Sequence, residues 1–232
     1  MKTRKFDQSY MQEMKDKLEV ELLGVISLEK TVSKELKNSA SSLLPGVKSV
    51  VVVGKEIYKE VISLLNPSKE AGEADAGELL GPHSDYINGR LNRAIHELTN
   101  LFKKEGFRSL PLTAQGCPTD QRTLMAVFSY KHAGELAGLG TIGKHSLLIT
   151  PEFGPRVRLA CLLTEAPLEG SPTAQKDYCI NCEACIQECP AQALKIPGRD
   201  EIYSINKFAC RTYRQAGMTC GICMKVCDEA LG

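Results

Sequence analysis

Cys179-Ile180-Asn181-Cys182-Glu183-Ala184-Cys185-Ile186-Gln187-Glu188-Cys189-Pro190 is the stretch on which the reading of this chain turns. Its spacing is C-x2-C-x2-C-x3-C-P. Three closely spaced thiolates can wrap one cubane 4Fe–4S cluster, while the fourth cysteine points away to ligate a second. The proline turns the chain and removes an N–H donor. A second group follows: Cys210, then Cys220-Gly221-Ile222-Cys223-Met224-Lys225-Val226-Cys227. It lacks a compact third cysteine, which Cys210 can supply. The ligands then close without remainder. One cluster takes Cys179, Cys182, Cys185 and Cys227; the other takes Cys189, Cys210, Cys220 and Cys223. Asp228 stands where such a run usually has proline.

The distribution of thiols supports metal ligation. Of ten cysteines in 232 residues, eight fall between Cys179 and Cys227. A secreted disulfide scaffold would spread them through a small coreless chain. Structural zinc also uses C-x2-C pairs, but zinc does not account for the four-cysteine run and its proline. Cys161 reads as a buried strand thiol, and Cys117, between Gly116 and Pro118, as a structural loop cysteine. Two clusters so close in sequence imply a conduit for single electrons. A bacterial-ferredoxin-like two-cluster module needs roughly 60 residues, whereas ~170 precede the run, enough for a separate core.

Composition sets outer bounds. Hydrophobic residues are 43% and charged residues 25%, which excludes collagen-like or disordered character. Lys+Arg is 29 against 28 Asp+Glu, without the basic excess of a dedicated nucleic-acid binder. No apolar run approaches the roughly 20 residues needed to span a bilayer. The basic start Met1–Lys5 leads into Phe6-Asp7-Gln8 and not into the apolar core of a signal peptide. The expected location is cytoplasmic, with no membrane partner.

Periodicity outlines an α/β chain. Helices are expected over 8–24, 31–43, 55–65, 85–105 (capped by Ser84) and most of 124–137. Val50–Val53 reads as a buried central strand. Gly106 reads as a helix-ending residue, and 107–112 as a strand. Residues 67–82 and 113–123 read as loops. Segments 145–150 and 156–164 read as strands joined as a hairpin through Pro151–Pro155. A layered α-β-α domain over 1–172 and a double 4Fe–4S module over 173–232 are the expected domains.

The segment Tyr130-Lys131-His132-Ala133-Gly134-Glu135-Leu136-Ala137-Gly138-Leu139-Gly140-Thr141-Ile142-Gly143-Lys144-His145, continuing through Leu147-Leu148-Ile149-Thr150-Pro151-Glu152-Phe153-Gly154, resembles the epoxyqueuosine reductase and reductive dehalogenase superfamily. Members carry an A-G-L-G-x-I-G-K/R core, then L-L-I-T-P-E-F-G, then a double-cluster module. The resemblance covers 84–232 well. It implies a nitroreductase-like layered first domain, a corrinoid (cobalamin) near Gly138, Leu139, Gly140, Gly143, Lys144 and His145, and clusters that reduce its cobalt.

The glycines could instead serve a tight helix-to-strand turn. Their G-x-G-x-x-G spacing follows a helix and precedes a strand, the reverse of a dinucleotide-binding fingerprint. The family's catalytic aspartate motif is not intact, and Asp120 is the nearest acid. Its aromatic after G-L-G is Thr141 here. Tyr130, beside Lys131 and His132, could act as a proton donor or simply pack. Epoxyqueuosine reductases continue into a helical-repeat region that helps hold tRNA, while this chain stops five residues after Cys227; with the near-neutral charge, this argues against a nucleic-acid partner. The chemistry expected is oxidation–reduction by a small corrinoid-dependent or corrinoid-handling reductase. The alternatives are an electron-transfer protein with a partner-docking first domain and no organic cofactor, and a flavin reductase. A redox partner protein or reduced ferredoxin would donate electrons.

Overall fold

A computed structural model describes residues 7–31, 33–66, 75–173, 176–216 and 219–232. The chain is a mixed α/β protein. In order it forms α1 (Gln8–Lys17), β1 (Leu22–Ser27), α2 (Lys34–Leu43), β2 (Ser49–Glu56), α3 (Lys59–Ser63), a 3-10 turn (Ala76–Leu79) and α4 (Leu80–Lys104). Then come β3 (Ser109–Leu112), α5 (Tyr130–Leu136), β4 (Thr141–Ile142), β5 (Leu148–Ile149) and β6 (Val157–Thr164). The Cys-rich part forms α6 (Ala184–Gln187), β7 (Leu194–Lys195), β8 (Ser204–Ile205), α7 (Lys207–Gln215) and α8 (Ile222–Leu231). Two compact units interleave along the sequence. One comprises Met1–Lys55, Asn88–Leu139 and Arg158–Gln175; the other comprises Glu56–Ile87, Gly140–Val157 and Lys176–Gly232. A boundary at 172/173 follows the change in composition; the compact unit that holds the cysteine run also recruits 56–87 and 140–157.

The first unit is built on a sheet of order β1-β2-β6-β3, with β1 antiparallel to β2 and β3 antiparallel to β6. Val50–Val53 and Ala160–Leu163 are wholly buried, as a continuous apolar strand flanked on both faces requires. On α4, Leu91, Ile95, Leu98 and Phe102 fill the core, each contributing about 1.5–3 kcal/mol on burial. Gly106, at φ +89°, ends the helical run, a left-handed position that glycine adopts freely.

Several expected elements are shorter or placed differently. The helix expected over 8–24 stops at Lys17, and Glu19 is left-handed at φ +53°. Leu22, which shares the helical spacing, begins β1 and pairs with Gly54. Sheet pairing there outweighs a periodicity that local sequence cannot distinguish from chance. Helix α4 begins before Ser84, which lies buried within it. The preceding 3-10 turn is capped by Asp75, whose carboxylate accepts from Gly77 N at 2.9 Å. The helix expected over 55–65 is only α3, and that over 124–137 is only α5. The expected hairpin of 145–150 with 156–164 does not form. Instead β5 pairs with β4, and β6 joins the four-stranded sheet. Val32 and loop positions 67–74 lie outside the described residues.

In the second unit a buried arginine ties three segments together. Arg156 Nε donates to Asp228 Oδ1 at 2.6 Å, and its Nη1 donates to Glu56 Oε1 and to Ile57 O at 2.9 Å. Lys225, one turn earlier on α8, donates to Ser63 O and Leu65 O at 3.0 and 2.9 Å, at the end of α3. Removing one member of a buried ion pair strands its partner's charge and costs about 3–5 kcal/mol. Arg156→Met should therefore lower the unfolding free energy of the second unit by that order, read from denaturant curves. Asp228→Asn, which keeps an acceptor, should cost less.

His83 supplies a pH-dependent contact. Its Nε2 accepts from Tyr58 N at 3.1 Å and its ring lies 4.7 Å from that of Tyr58. Burial lowers its pKa below the usual imidazole value, against the opposing pull of Glu56. The unfolded chain thus binds the proton more readily, and stability rises with pH through this window. The contribution is complete above about pH 6.5 and is lost as pH falls through the depressed folded value. Denaturation midpoints at pH 5 and 7.5 should differ more in the wild type than in His83→Gln.

Candidate metal centre

The cysteine run is shaped by local backbone rather than by regular structure. Asn181 and Glu183 are left-handed, at φ +57° and +62°, and reverse the chain between successive thiols. Asn tolerates that region better than most residues, whereas Glu183 requires support. It receives it from Lys144, whose Nζ donates to Glu183 Oε1 at 2.9 Å. Asp177 Oδ1 accepts from Cys179 N at 2.9 Å and from Thr141 Oγ1 at 3.2 Å. Thr141 Oγ1 in turn accepts from Tyr178 N at 2.9 Å. The β4–β5 hairpin thus holds the cysteine run at two points, before Cys179 and at Glu183.

Cys179, Cys182, Cys185 and Cys227 line one small pocket, together with Lys144, His145, Glu183 and the apolar Ile180, Ala230 and Leu231. Cys227 arrives from α8, whose position is set by Lys225 and Asp228. Burial pushes the Cys227 thiol up to about 12, with Cys185, Cys179 and Cys182 adding to the shift ahead of Cys223. Burial likewise raises Cys185 to about 11, aided by Cys179 and Cys182.

The other four thiols form a second electrostatic group. Burial raises Cys223 to about 12, with Cys220, Cys210 and Cys189 acting ahead of Cys185. Burial also raises Cys210, against the pull of Arg214, with Cys220 and Cys189 adding to it. Such crowded thiols ionise only beside a compensating cation, which is what a bound metal supplies. Among the described residues, no three His, Cys, Asp or Glu side chains converge as a mononuclear site would require. A cubane makes a different demand, with its four thiolates spread around a cluster.

The remaining sequence-predicted residues have other partners. Sites for a Cβ at Gly138 and Gly140 fall 1.9 Å from Pro172 O and 2.0 Å from Ile149 O; at Gly143 the nearest atom is Ile149 Cδ1 at 2.7 Å. The chain itself fills these positions. Leu139 is buried, and His145 is only 3% exposed, with Nδ1 accepting from Leu147 N at 3.0 Å. Tyr130 donates its hydroxyl to Thr113 O at 2.8 Å. Burial, reinforced by Cys161 and Cys117, raises its pKa, so it stays a phenol with its proton committed. Asp120 accepts from Arg122 N, Arg122 Nη2 and Thr123 N, and the Arg122 bond holds its carboxyl below the usual range. Cys161 is buried, and Cys117 donates its thiol to Phe128 O at 3.2 Å. Sequence reading gave no role to Asp177, Glu183 or Lys225, and noted Thr141 only as standing where the superfamily has an aromatic residue. Their only local signal was position beside a cysteine or glycine motif.

Residues 172–195 match the family model described as a 4Fe-4S binding domain. The chain is an iron–sulfur protein. The matched stretch contains the Cys179–Cys189 run. Over 161 residues it is 31% identical to the epoxyqueuosine reductase of Gloeobacter violaceus, covering 69% of this chain and 46% of that one. A reductive dehalogenase structure linked to B12-dependent dehalogenation superposes with a TM-score of 0.67 at 18% identity, over 94% of this chain and 31% of that one. An epoxyqueuosine reductase crystallised with an epoxyqueuosine-modified tRNA-Tyr stem loop superposes with a TM-score of 0.51 at 19% identity, over 80% and 52%. The chain belongs to the epoxyqueuosine reductase and reductive dehalogenase superfamily. It spans about half the length of the curated epoxyqueuosine reductases that it matches over most of its own length.

The near-neutral charge is by itself no argument against nucleic acid. A formal charge of +1 averages over the surface, whereas phosphate contact needs only a local patch. Among the described residues, no helix is long and apolar enough to cross a membrane.

The glycine geometry yields a direct test. Gly140→Ala must displace backbone at Ile149 and open the β4–β5 hairpin, costing at least about 1–3 kcal/mol. Gly89→Ala, on α4 with open space around it, should instead stabilise by roughly 0.5–1 kcal/mol. Thermal or denaturant midpoints should move in opposite directions.

Proposed function

We propose that this epoxyqueuosine reductase-like iron–sulfur protein carries two 4Fe–4S clusters and passes single electrons through them as a reductase. Cys179, Cys182, Cys185 and Cys227 hold one cluster; Cys189, Cys210, Cys220 and Cys223 hold the other. The observation that carries this reading is the shared cavity, in which Cys227 meets the three closely spaced cysteines of a run more than forty residues earlier in the chain. The segment 173–232 then acts as a double-cluster module supported by 140–157.

The corrinoid expectation fares differently. The superfamily suggests it through the dehalogenase relative described for B12-dependent dehalogenation. The residues nominated to hold it do not fit that role: the glycine positions are filled by the chain itself, Lys144 is engaged by Glu183, and His145 is buried. No step is assigned to a corrinoid on the Gly138–His145 loop. That geometry favours the reading in which the protein transfers electrons to an acceptor it does not hold there, a corrinoid of another protein included. Helix α7 supports docking of an acidic redox carrier. None of its residues is fully buried, Lys207, Arg211 and Arg214 share one face, and Arg214 acts on Cys210. The tRNA substrate of the longer relative is the competing acceptor.

Anaerobic reconstitution should give about eight iron per chain. Cys227→Ser and Cys210→Ser should each reduce this to about four, with one electron paramagnetic resonance signal remaining. About four iron in the wild type, or eight in Cys227→Ser, would overturn the two-cluster assignment. Titration with hydroxocobalamin should reduce cobalt by the dithionite-treated protein without tight complex formation. A stoichiometric, stable complex would restore a resident corrinoid.

A further inference from the structure

We infer that Lys144 and Glu183 form a balanced charge pair beside the cluster held by Cys179, Cys182, Cys185 and Cys227, each cancelling the other's effect on its reduction potential. This rests on the two-cluster reading above and adds a role for the glycine-loop lysine. Lys144 lies in the turn of the β4–β5 hairpin, where Gly143 N donates to Leu147 O and Ser146 N donates to Gly143 O, at 3.0 and 2.8 Å. The tight turn at Gly143 fixes the lysine over the cavity. Both Lys144 and Glu183 line that cavity, and their side chains are 16% and 34% exposed. Glu183 first, and then Cys179 and Cys185, favour the charged form of Lys144. Glu183 sits inside the run, between Cys182 and Ala184.

Reduction adds one electron to a cluster that is already ringed by thiolates. A fixed cation beside it favours the reduced state and raises the potential, and a fixed anion does the reverse. Charge near the cluster and its exposure are among the determinants of such potentials, and partial burial limits screening by solvent. The 2.9 Å pair presents its two charges together, so neither acts alone in the native protein. Removing either partner leaves the other uncompensated beside the cluster. The two losses must then act with opposite sign.

The test uses reconstituted full-length protein in electron paramagnetic resonance-monitored redox titrations, with iron content measured in parallel. Lys144→Met should lower the midpoint of the Cys179–Cys227 cluster signal, and Glu183→Gln should raise it. The double variant should return toward the wild-type value, and Lys144→Arg, which keeps the charge, should stay near it. A signal assigned to the other cluster by its persistence in Cys227→Ser should move less in every variant. Shifts of the same sign, no shifts, or loss of iron from both single variants would overturn the inference. These outcomes differ from failure of the two-cluster reading, which would show already in the wild-type iron count and in Cys227→Ser.

Discussion

A buried cation must be paired, and the second unit is organised around one. Arg156 has almost no solvent to share its charge with, so it draws in Glu56, the carbonyl of Ile57 and Asp228. With Arg156 itself, these groups join three stretches of chain. Asp228 is also the residue that departs from the proline usual after the last cysteine of a cluster run. Its carboxylate fixes the α8 turn that carries Cys227, a job that proline could not do. Lys225 reinforces that placement by using carbonyls at the end of α3, where a cation is favoured by the exposed C=O groups.

The β4–β5 hairpin performs the matching task for the cysteine run. Its glycines permit close approach of backbone to backbone, and that approach is what brings Thr141 and Lys144 within reach of Asp177 and Glu183. Thr141, which stands where the superfamily has an aromatic residue, uses its hydroxyl for two of these bonds. The glycine-rich motif and the cysteine motif are thus coupled parts of one support. A left-handed Glu183, costly by itself, persists because its side chain is held.

Thiols brought together in this way resist ionisation. Burial and mutual repulsion keep Cys185, Cys223 and Cys227 protonated near neutrality when no cation is among them. Iron coordination by these thiols would displace protons and contribute directly to the stability of this region. In the first unit the titratable candidates are quiet by comparison. Tyr130 and Asp120 both spend their polar atoms on neighbouring loop backbone, with Arg122 on Asp120 as well, as structural residues do.

The cysteine spacing, the buried valine strand and the helix-ending Gly106 were legible in sequence because each rests on a local rule: ligand reach, two-sided burial and left-handed backbone. The superfamily resemblance was legible for the same reason, since its motifs are contiguous. The end of α1, the partner of β5 and the location of β6 were not, because strand pairing is decided between segments far apart in the chain. The site followed the same division. Sequence alone determined that thiols at these spacings would bind iron and sulfur. Only the tertiary structure decided that Lys144 faces Glu183 and that Arg156 selects Asp228. Those choices depend on distance and burial in three dimensions, where charges must find partners that no local spacing encodes.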